Sequence, residues 1–208
     1  MKSEFQASIF IPSNTTDWKP NSSKMLFGGI VLLIAFGGAN YFLDINTLLG
    51  IIIAFVLWLI GAIWGLSERQ IPNGAFKGQL FISEDSIKIN QKTYTWTEVN
   101  NFSFKLLHFL GQELHSSTIE YFRFPTGGPA YSAGIDNYIY FTSRNETNKV
   151  FFRIESPKHK IDFSTLIKEL YLKDLISLEK AYNGLNLSYE EIQQLKKLKV
   201  EVKKQIST

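Results

Sequence analysis

One long apolar stretch, residues 25 to 66, constrains this chain more than any other feature. It contains a single charged residue, Asp44, which divides it into apolar runs over residues 25–43 and 45–66. At a rise of about 1.5 Å per residue, either run makes a helix of roughly 30 Å, the thickness of a bilayer's hydrocarbon core. The sequence therefore predicts two transmembrane helices joined in a tight hairpin.

Small residues indicate how these two helices pack. Between helices in lipid there is little hydrophobic drive, so close backbone approach through small side chains matters more. We expect the glycines of the two runs to pack the helices against each other, and a dimerisation face is the alternative. The glycines are Gly28, Gly29, Gly37 and Gly38 in the first run, and Gly50, Gly61 and Gly65 in the second.

The polar residues around the hairpin predict its orientation. The turn from Asp44 to Asn46 contains no Lys or Arg, whereas the outer flanks contain Lys19, Lys24, Arg69 and Lys77. The positive-inside rule then places both termini in the cytoplasm, in an integral protein of the cytoplasmic membrane. Because no charge lies inside either helix, we expect an anchor rather than an ion or proton pathway.

The chain before the hairpin is a short polar arm, residues 1–24. Apolar residues alternate from Phe5 to Ile11, and Pro12 ends the pattern. The arm is either a loosely ordered terminus or a strand added to the edge of a downstream sheet. The second alternative requires that arm and sheet lie on the same side of the membrane.

After the hairpin the pattern changes to a period of two. Short alternating segments separated by turn residues are typical of an antiparallel barrel or sandwich. The predicted strands are residues 76–82, 86–90, 93–96, 99–106, 118–124, 137–142 and 149–154.

A helical period follows the last strand. One helix is predicted from Ile161 to Ala181, capped by Ser164 or Asp162, with a break near Lys173-Asp174 and an end at Asn183-Gly184. A final helix is predicted to start at Ser188, because Glu191 follows at the spacing of a capping box. The domain boundaries are therefore 1–24 for the arm, 25–66 for the hairpin, 71–172 for a β-rich domain with a capping helix, and 173–208 for a helical tail.

Two segments resemble a known family. Residues 78–89 (Gly-Gln-Leu-Phe-Ile-Ser-Glu-Asp-Ser-Ile-Lys-Ile) and 94–99 (Tyr-Thr-Trp-Thr-Glu-Val) resemble the opening of bacterial pleckstrin-homology-like (PH-like) domains. Two transmembrane helices just ahead of such a domain resemble the YcxB-like arrangement. The resemblance covers roughly residues 75–172. It implies an α+β fold: a membrane hairpin plus a PH-like barrel, closed at one end by a helix and used for binding or assembly, with no catalytic residues.

Composition and motifs exclude several chemistries. The net charge of +3 is too small to indicate nucleic-acid binding, and the absence of cysteine removes thiolate metal sites and cysteine nucleophiles. His108, Glu113 and His115 match no standard zinc spacing, and the Gly127-Gly128 loop lacks the lysine of a phosphate loop. Glu98 and Glu120 cannot be paired from sequence. We expect no enzyme, no catalytic residues, no metal and no cofactor.

Lysines suggest two possible lipid contacts. Lys77, Lys88 and Lys105 are scattered over predicted strands, and the turn at Ser83–Asp85 is acidic, so we expect no specific phosphoinositide binding. In the last helix, the three lysines at 196, 199 and 203 border an apolar stripe that contains Ile192, Leu195 and Leu198. This helix lies on an anionic membrane surface or packs on its neighbour, with its lysines in water.

The sequence thus predicts a membrane-anchored binding or assembly module that binds a partner protein or forms a homo-oligomer. The alternatives are a sensor of anionic membrane surfaces that grips lipid through its C-terminal helix, and an accessory subunit of a membrane enzyme or transporter.

Overall fold

The computed structural model describes residues 4–14, 20–114, 128–144 and 146–206. It has two compact units, which we call the sheet unit and the hairpin unit. The sheet unit comprises Met1–Ser13, Gly74–Leu110 and Gly134–Thr208, and the hairpin unit comprises Asn14–Asn73 and Gly111–Ala133. The fold class is α+β.

The described residues contain nine strands and five helices. The strands are β1 (Glu4–Pro12), β2 (Gly74–Ser83), β3 (Ser86–Ile89), β4 (Lys92–Thr95), β5 (Asn100–Lys105), β6 (Leu110–Glu113), β7 (Tyr131–Ala133), β8 (Asn137–Ser143) and β9 (Glu146–Phe152). The helices are α1 (Ser22–Leu43), α2 (Leu48–Gly65), α3 (Pro157–Leu172), α4 (Leu178–Leu185) and α5 (Tyr189–Ile206). The strand predicted over residues 118–124 lies outside the described residues.

Seven strands form one antiparallel sheet in the order β4-β3-β2-β1-β9-β8-β5. The N-terminal arm supplies the middle strand of this sheet. β1 pairs with β2 from Glu4↔Ser83 to Pro12↔Gly74, and with β9 at Ile9↔Phe152 and Phe10↔Phe151. The arm is therefore neither a loose terminus nor an edge strand, because its backbone groups pair on both sides.

One face of the sheet forms the core of the sheet unit. Alternate side chains point to this face, as the period of two predicts, and α3 packs over them. The ring of Phe163 on α3 lies 4.8 Å from that of Phe5 and 5.4 Å from that of Phe152. Fully buried side chains of this core include Phe5, Leu80, Ile82, Ile139, Phe141, Phe152, Phe163 and Leu170.

The helices of the sheet unit begin and end differently from the prediction in two places. α3 starts earlier than expected: Ser156, rather than Asp162 or Ser164, accepts the capping hydrogen bond from the N–H of His159, and Pro157 occupies the first turn. The Asn183-Gly184 pair does not end α4. Gly184 lies inside the helix against Phe104, and Asn186 is the left-handed residue that ends it.

Two helix predictions are confirmed. The break near Lys173-Asp174 separates α3 from α4, and Asp174 there has a φ of +60°. The capping box of α5 is formed, since the Ser188 hydroxyl accepts from the Glu191 N–H and the Glu191 carboxylate accepts from the Ser188 N–H. This second bond lowers the pKa of Glu191.

The hairpin unit contains α1 and α2 and the two-stranded β6–β7 sheet. α1 begins at Ser22, three residues before the predicted start, because Asn21 caps it by accepting a hydrogen bond from the N–H of Lys24. Asp44 ends α1 in the left-handed conformation, with a φ of +51°. Beyond the turn, the Thr47 hydroxyl donates to the Phe36 carbonyl at 2.7 Å and ties the two helices together.

Candidate functional site

Most of the exposed large apolar side chains of the described residues lie on α1 and α2. Both helices are long and apolar enough to cross a membrane. In the most apolar window of each helix, 11 % of the residues of α1 and 22 % of those of α2 are buried. Ile34 on α1 is 70 % exposed and Leu49 on α2 is 72 % exposed. These helices therefore display apolar side chains on their outside, unlike the core helices of a water-soluble domain.

Glycines bring α1 and α2 into close contact. A Cβ on Gly29 would lie 2.7 Å from the backbone nitrogen of Trp58, and one on Gly61 would lie 2.7 Å from that of Leu26. A Cβ on Gly50 would meet the ring of Phe36. The expected use of glycine in packing the hairpin is confirmed at these three positions. By contrast, nothing lies within 4 Å of a Cβ built on Gly28, Gly37 or Gly38.

Aromatic rings are favoured at the boundary between hydrocarbon and water, and two aromatic residues of the hairpin, Tyr41 and Trp64, are exposed at 82 % and 37 %. Tyr41 lies near the end of α1 that leads into the turn, and Trp64 near the end of α2. Trp18, the third such residue, lies outside the described residues.

A buried polar contact closes the hairpin at its base. Glu68, three residues after the end of α2, is 7 % exposed, and Ser22 is fully buried. The Ser22 N–H donates to both carboxylate oxygens of Glu68 at 3.3 Å, and the Ser22 hydroxyl donates to the same carboxylate. The first residue of α1 is thereby bound to the segment that leaves α2.

The same segment is hydrogen-bonded to β7. The Glu68 carbonyl accepts from the Tyr131 N–H at 3.1 Å, and the Gln70 N–H donates to the Tyr131 carbonyl at 2.8 Å. The Gln70 side chain accepts from the Ala133 N–H at 2.9 Å. Sequence analysis missed this polar base, although the first acidic residue after a long apolar run is a signal that could have been noted.

A cleft of about 240 Å³ lies beside this base. Its lining includes the polar residues Asn21, Lys24, Glu68, Arg69 and Gln70. The Glu68 carboxylate in the cleft is occupied by Ser22, so it acts as a structural acceptor at the start of α1 and not as a free acid.

The lysines considered for lipid headgroups do not form one cluster. Lys77 and Lys88 lie on the neighbouring strands β2 and β3, whereas Lys105 lies on β5 at one edge of the sheet. In the acidic turn between β2 and β3, Glu84 forms an ion pair with Lys173. The fold therefore places opposite charges at this turn.

The C-terminal helix α5 packs on the sheet unit. Leu195 is 3 % exposed and belongs to its core, while Leu198 is 49 % exposed. Lys199 and Lys203 both pair with Asp174, and Lys199 also donates to the Tyr171 carbonyl at 2.9 Å. The helix was expected either to lie on an anionic membrane surface or to pack on its neighbour, and the described contacts are those of packing.

These ion pairs lower the pKa of an exposed carboxyl group. Hydrogen bonds from Lys199 and Lys203 hold the pKa of Asp174 below its ordinary value. Lys196, the third lysine considered for lipid binding, is exposed.

Glu98 is also engaged in an ion pair. Its carboxylate accepts a hydrogen bond of 2.7 Å from the guanidinium of Arg144, which lowers the pKa of Glu98 and raises that of Arg144. The pair joins the turn after β4 to the turn between β8 and β9. Glu120 lies outside the described residues.

The residues considered for a metal site are not brought together in the part of the chain described. His115 and Gly127 lie outside that part, and within it no group of three His, Cys, Asp or Glu side chains is placed to hold a metal ion. His108 instead belongs to a loop that Asn137 holds. The fully buried Asn137 side chain accepts from the Leu107 N–H at 2.7 Å and donates to the His108 and Gly134 carbonyls.

Lys160 supports the same loop from α3. Its ammonium group donates to the Leu107 carbonyl at 2.6 Å, and partial burial lowers the pKa of Lys160. Since the ammonium is bound to a backbone oxygen, it stabilises the loop rather than forming a site for a ligand.

Comparisons with known proteins found no matching family model, no matching curated protein and no matching solved structure. Three features of the chain itself bear on its function: the apolar hairpin, its polar base, and the sheet that β1 and β2 share.

Proposed function

We propose that this chain is a membrane-anchored, non-enzymatic binding or assembly module that presents its sheet unit to the cytosol. One observation carries the proposal: β1 precedes the hairpin, β2 follows it, and the two strands pair over their whole length. Hydrogen-bonded neighbours lie about 4.8 Å apart, so both must be on one side of a bilayer. A chain with β1 and β2 in one sheet must cross the membrane an even number of times.

The two helices supply that even number. Each is long enough for the hydrocarbon core, each exposes apolar side chains, and neither contains a charged residue away from its ends. The lysine and arginine residues that flank the hairpin, and their absence from the turn, support a cytosolic sheet unit.

The strand order supports a PH-like interpretation of the sheet unit. β1 to β4 are consecutive neighbours, β9, β8 and β5 continue the sheet, and α3 follows the last strand and covers the core. Trp96, the tryptophan of the segment that resembles the family, donates from its indole to the Ser83 carbonyl at 2.9 Å. On this interpretation, the hairpin is inserted between the first two strands of a small barrel.

Four carboxylates are engaged in contacts within the fold. Glu68, Glu84, Glu98 and Asp174 each accept hydrogen bonds from a serine, lysine or arginine that the fold places beside them. We infer that these carboxylates stabilise the fold rather than take part in a reaction.

Single-cysteine labelling tests the topology, because the natural chain contains no cysteine. Glu4→Cys, Ile45→Cys and Glu190→Cys place thiols on β1, in the hairpin turn and on α5, respectively. In intact cells a membrane-impermeant maleimide should label only position 45. Labelling of positions 4 and 190, but not 45, from outside would show that the orientation is the reverse of the one proposed. Labelling of only one of positions 4 and 190 would place β1 and α5 on opposite sides of the membrane and would rule out the shared sheet.

Crosslinking in cells tests the binding role. The tagged full-length protein is crosslinked, purified in mild detergent and analysed by mass spectrometry. A partner protein or a homo-oligomer in fixed ratio supports the proposal, and a stoichiometric membrane enzyme or transporter would make the chain its accessory subunit. Recovery of a monomer with lipid alone would contradict a protein-binding role.

A further inference from the structure

Four aromatic residues form a row across four neighbouring strands. Phe76 on β2 is directly opposite Phe10 on β1, Phe10 is opposite Phe151 on β9, and Phe151 is opposite Tyr138 on β8. Directly opposite residues share one face of a sheet. Ile9, adjacent to Phe10, belongs to the core, so this row, which we call the outer aromatic row, lies on the other face.

The outer aromatic row contains two ring contacts and is partly open to solvent. The rings of Phe10 and Phe76 are 5.4 Å apart, and those of Tyr138 and Phe151 are 5.7 Å apart. Phe10 is 5 % exposed, whereas Phe76 is 42 % exposed and the other two are half-buried. An apolar strip on the face away from the core is a surface for contact with something other than water.

Two cations lie on the row. The ammonium group of Lys149 is 4.6 Å from the ring centre of Tyr138 and 4.9 Å from that of Phe151. The guanidinium of Arg153 is 5.0 Å from the ring centre of Phe76, and its buried Nε has no hydrogen-bond partner. Among the described residues, no carboxylate forms an ion pair with either cation. Within the described part of the chain, the row therefore combines apolar rings with two cations that form no ion pair.

This chemistry fits the headgroup region of an anionic bilayer. Aromatic rings are favoured at the boundary between hydrocarbon and headgroups, and long cationic side chains reach from there to phosphate oxygens. We propose that the outer aromatic row is a membrane-contact surface that docks on anionic lipid headgroups. The inference rests on the proposed function, which places the hairpin in a bilayer.

Two short segments tether the sheet unit to the hairpin. β1 continues to α1 through residues 13 to 21, which at about 3.3–3.6 Å per residue span at most ~30 Å. α2 continues to β2 through residues 66 to 73. A surface tethered this closely meets headgroups at high effective concentration, so even a weak contact is populated.

Spin labelling of the full chain in nanodiscs tests the proposal. The nanodiscs contain phosphatidylcholine alone or phosphatidylcholine mixed with phosphatidylglycerol, and nitroxides are attached at three single cysteines. Phe76→Cys reports on the row. Phe81→Cys is the matched control, on the same strand at 38 % exposure, and Ile34→Cys reports on the hairpin.

With phosphatidylglycerol present, the label at position 76 should become severalfold more accessible to oxygen relative to a water-soluble nickel complex. The label at position 81 should not change. The effect at position 76 should disappear in salt near 1 M, where the Debye length is about 3 Å. It should also disappear in a Lys149→Gln/Arg153→Gln variant, with folding checked by far-ultraviolet circular dichroism. Should the double variant misfold, Lys149→Gln alone should still reduce the effect.

The outcomes separate this inference from the proposed function. If position 34 reports bilayer interior while position 76 is equally water-accessible in both lipids, the lipid-contact surface is wrong and the anchor stands. If position 34 is also water-accessible, both fail. Dipolar broadening between labels at position 76 would overturn the lipid surface in favour of an interface between copies.

Discussion

The carboxylate of Glu68 accepts hydrogen bonds from the backbone N–H and the hydroxyl of Ser22, the first residue of α1 and 46 positions earlier in the chain. The first turn of a helix has N–H groups without partners and a partial positive charge. α1 has no acidic residue in its own first turn. Glu68, which follows α2 in the sequence, therefore supplies the acceptor and the negative charge that are missing from the first turn of α1.

Replacing Glu68 should loosen the base of the hairpin. Glu68→Ala leaves the buried donors of Ser22 unsatisfied, which costs about 1–3 kcal/mol. We expect faster amide exchange at residues 22–26 in detergent and a lower unfolding temperature. Glu68→Gln, which keeps an acceptor, should have a smaller effect, and Glu190→Gln, an exposed acid on α5, should have none. Equal exchange in Glu68→Ala and the natural chain would show that the contact is dispensable.

Adjacent glycines on α1 should respond oppositely to the same substitution. A methyl group at Gly29 collides with the Trp58 backbone, so Gly29→Ala should destabilise the hairpin by about 1–3 kcal/mol. Gly28→Ala meets open space and should be neutral or slightly stabilising, because alanine favours helix. Reversible unfolding in mixed micelles, followed by circular dichroism, measures both. Similar losses in both variants would contradict the packing described.

Gly184 should be coupled to Phe104 in the sheet unit. A Cβ at Gly184 would lie 2.4 Å from the Phe104 ring, so Gly184→Ala should cost about 1–3 kcal/mol through overpacking. Phe104→Leu replaces the ring by a smaller side chain and leaves room for the added methyl group. The double variant should therefore recover part of the lost stability. A double-mutant cycle on the free energy of unfolding measures the coupling. Strict additivity would mean that the two residues do not meet.

The packing of α5 should depend on pH through Asp174. Since hydrogen bonds from Lys199 and Lys203 lower the pKa of Asp174 in the folded chain, its ion pairs stabilise α5 above the ordinary carboxyl pKa. That stabilisation is lost as the pH falls through the lowered pKa. Amide exchange over residues 189–206, corrected for intrinsic rate, should therefore rise in acid.

A variant separates this effect from that of the capping box. Asp174→Asn should show rapid exchange at neutral pH and a weaker pH dependence throughout α5. Glu191→Gln should change only the first turn, because the lowered pKa of Glu191 comes from its bonds to Ser188. If the pH dependence of amide exchange in Asp174→Asn equals that of the natural chain, another group is responsible for the acid sensitivity.

Local patterns were sufficient to predict most elements of this fold. Alternation located β2, β3 and β8 and gave β1 as one of two alternatives, and the spacing of Ser188 and Glu191 located the start of α5. These features depend on neighbours in sequence. The start of α3 was misplaced because its apolar stripe begins after the cap, although Ser156-Pro157 is itself a start signal.

Contacts between distant residues could not be predicted in this way. Asn183-Gly184 is a helix-stop signal locally, yet Gly184 is needed inside α4 because a strand residue, Phe104, approaches its backbone. The Ser22–Glu68 contact and the place of β1 in the sheet depend on which segments meet. A strand's alternation specifies its buried face and leaves its partners open.

On the proposed membrane topology, the central position of β1 makes completion of the sheet depend on the insertion of both helices. β1 is synthesised before the hairpin, and its partners β2 and β9 are synthesised after it. If only one helix entered the bilayer, β1 and its partners would be on opposite sides, and β2 and β9 would each keep an unpaired edge. Such edges aggregate readily or recruit other strands. The complete sheet would thus form only in chains in which both helices have crossed the membrane. A misinserted chain would keep unpaired strand edges, by which cellular proteases and chaperones could recognise it.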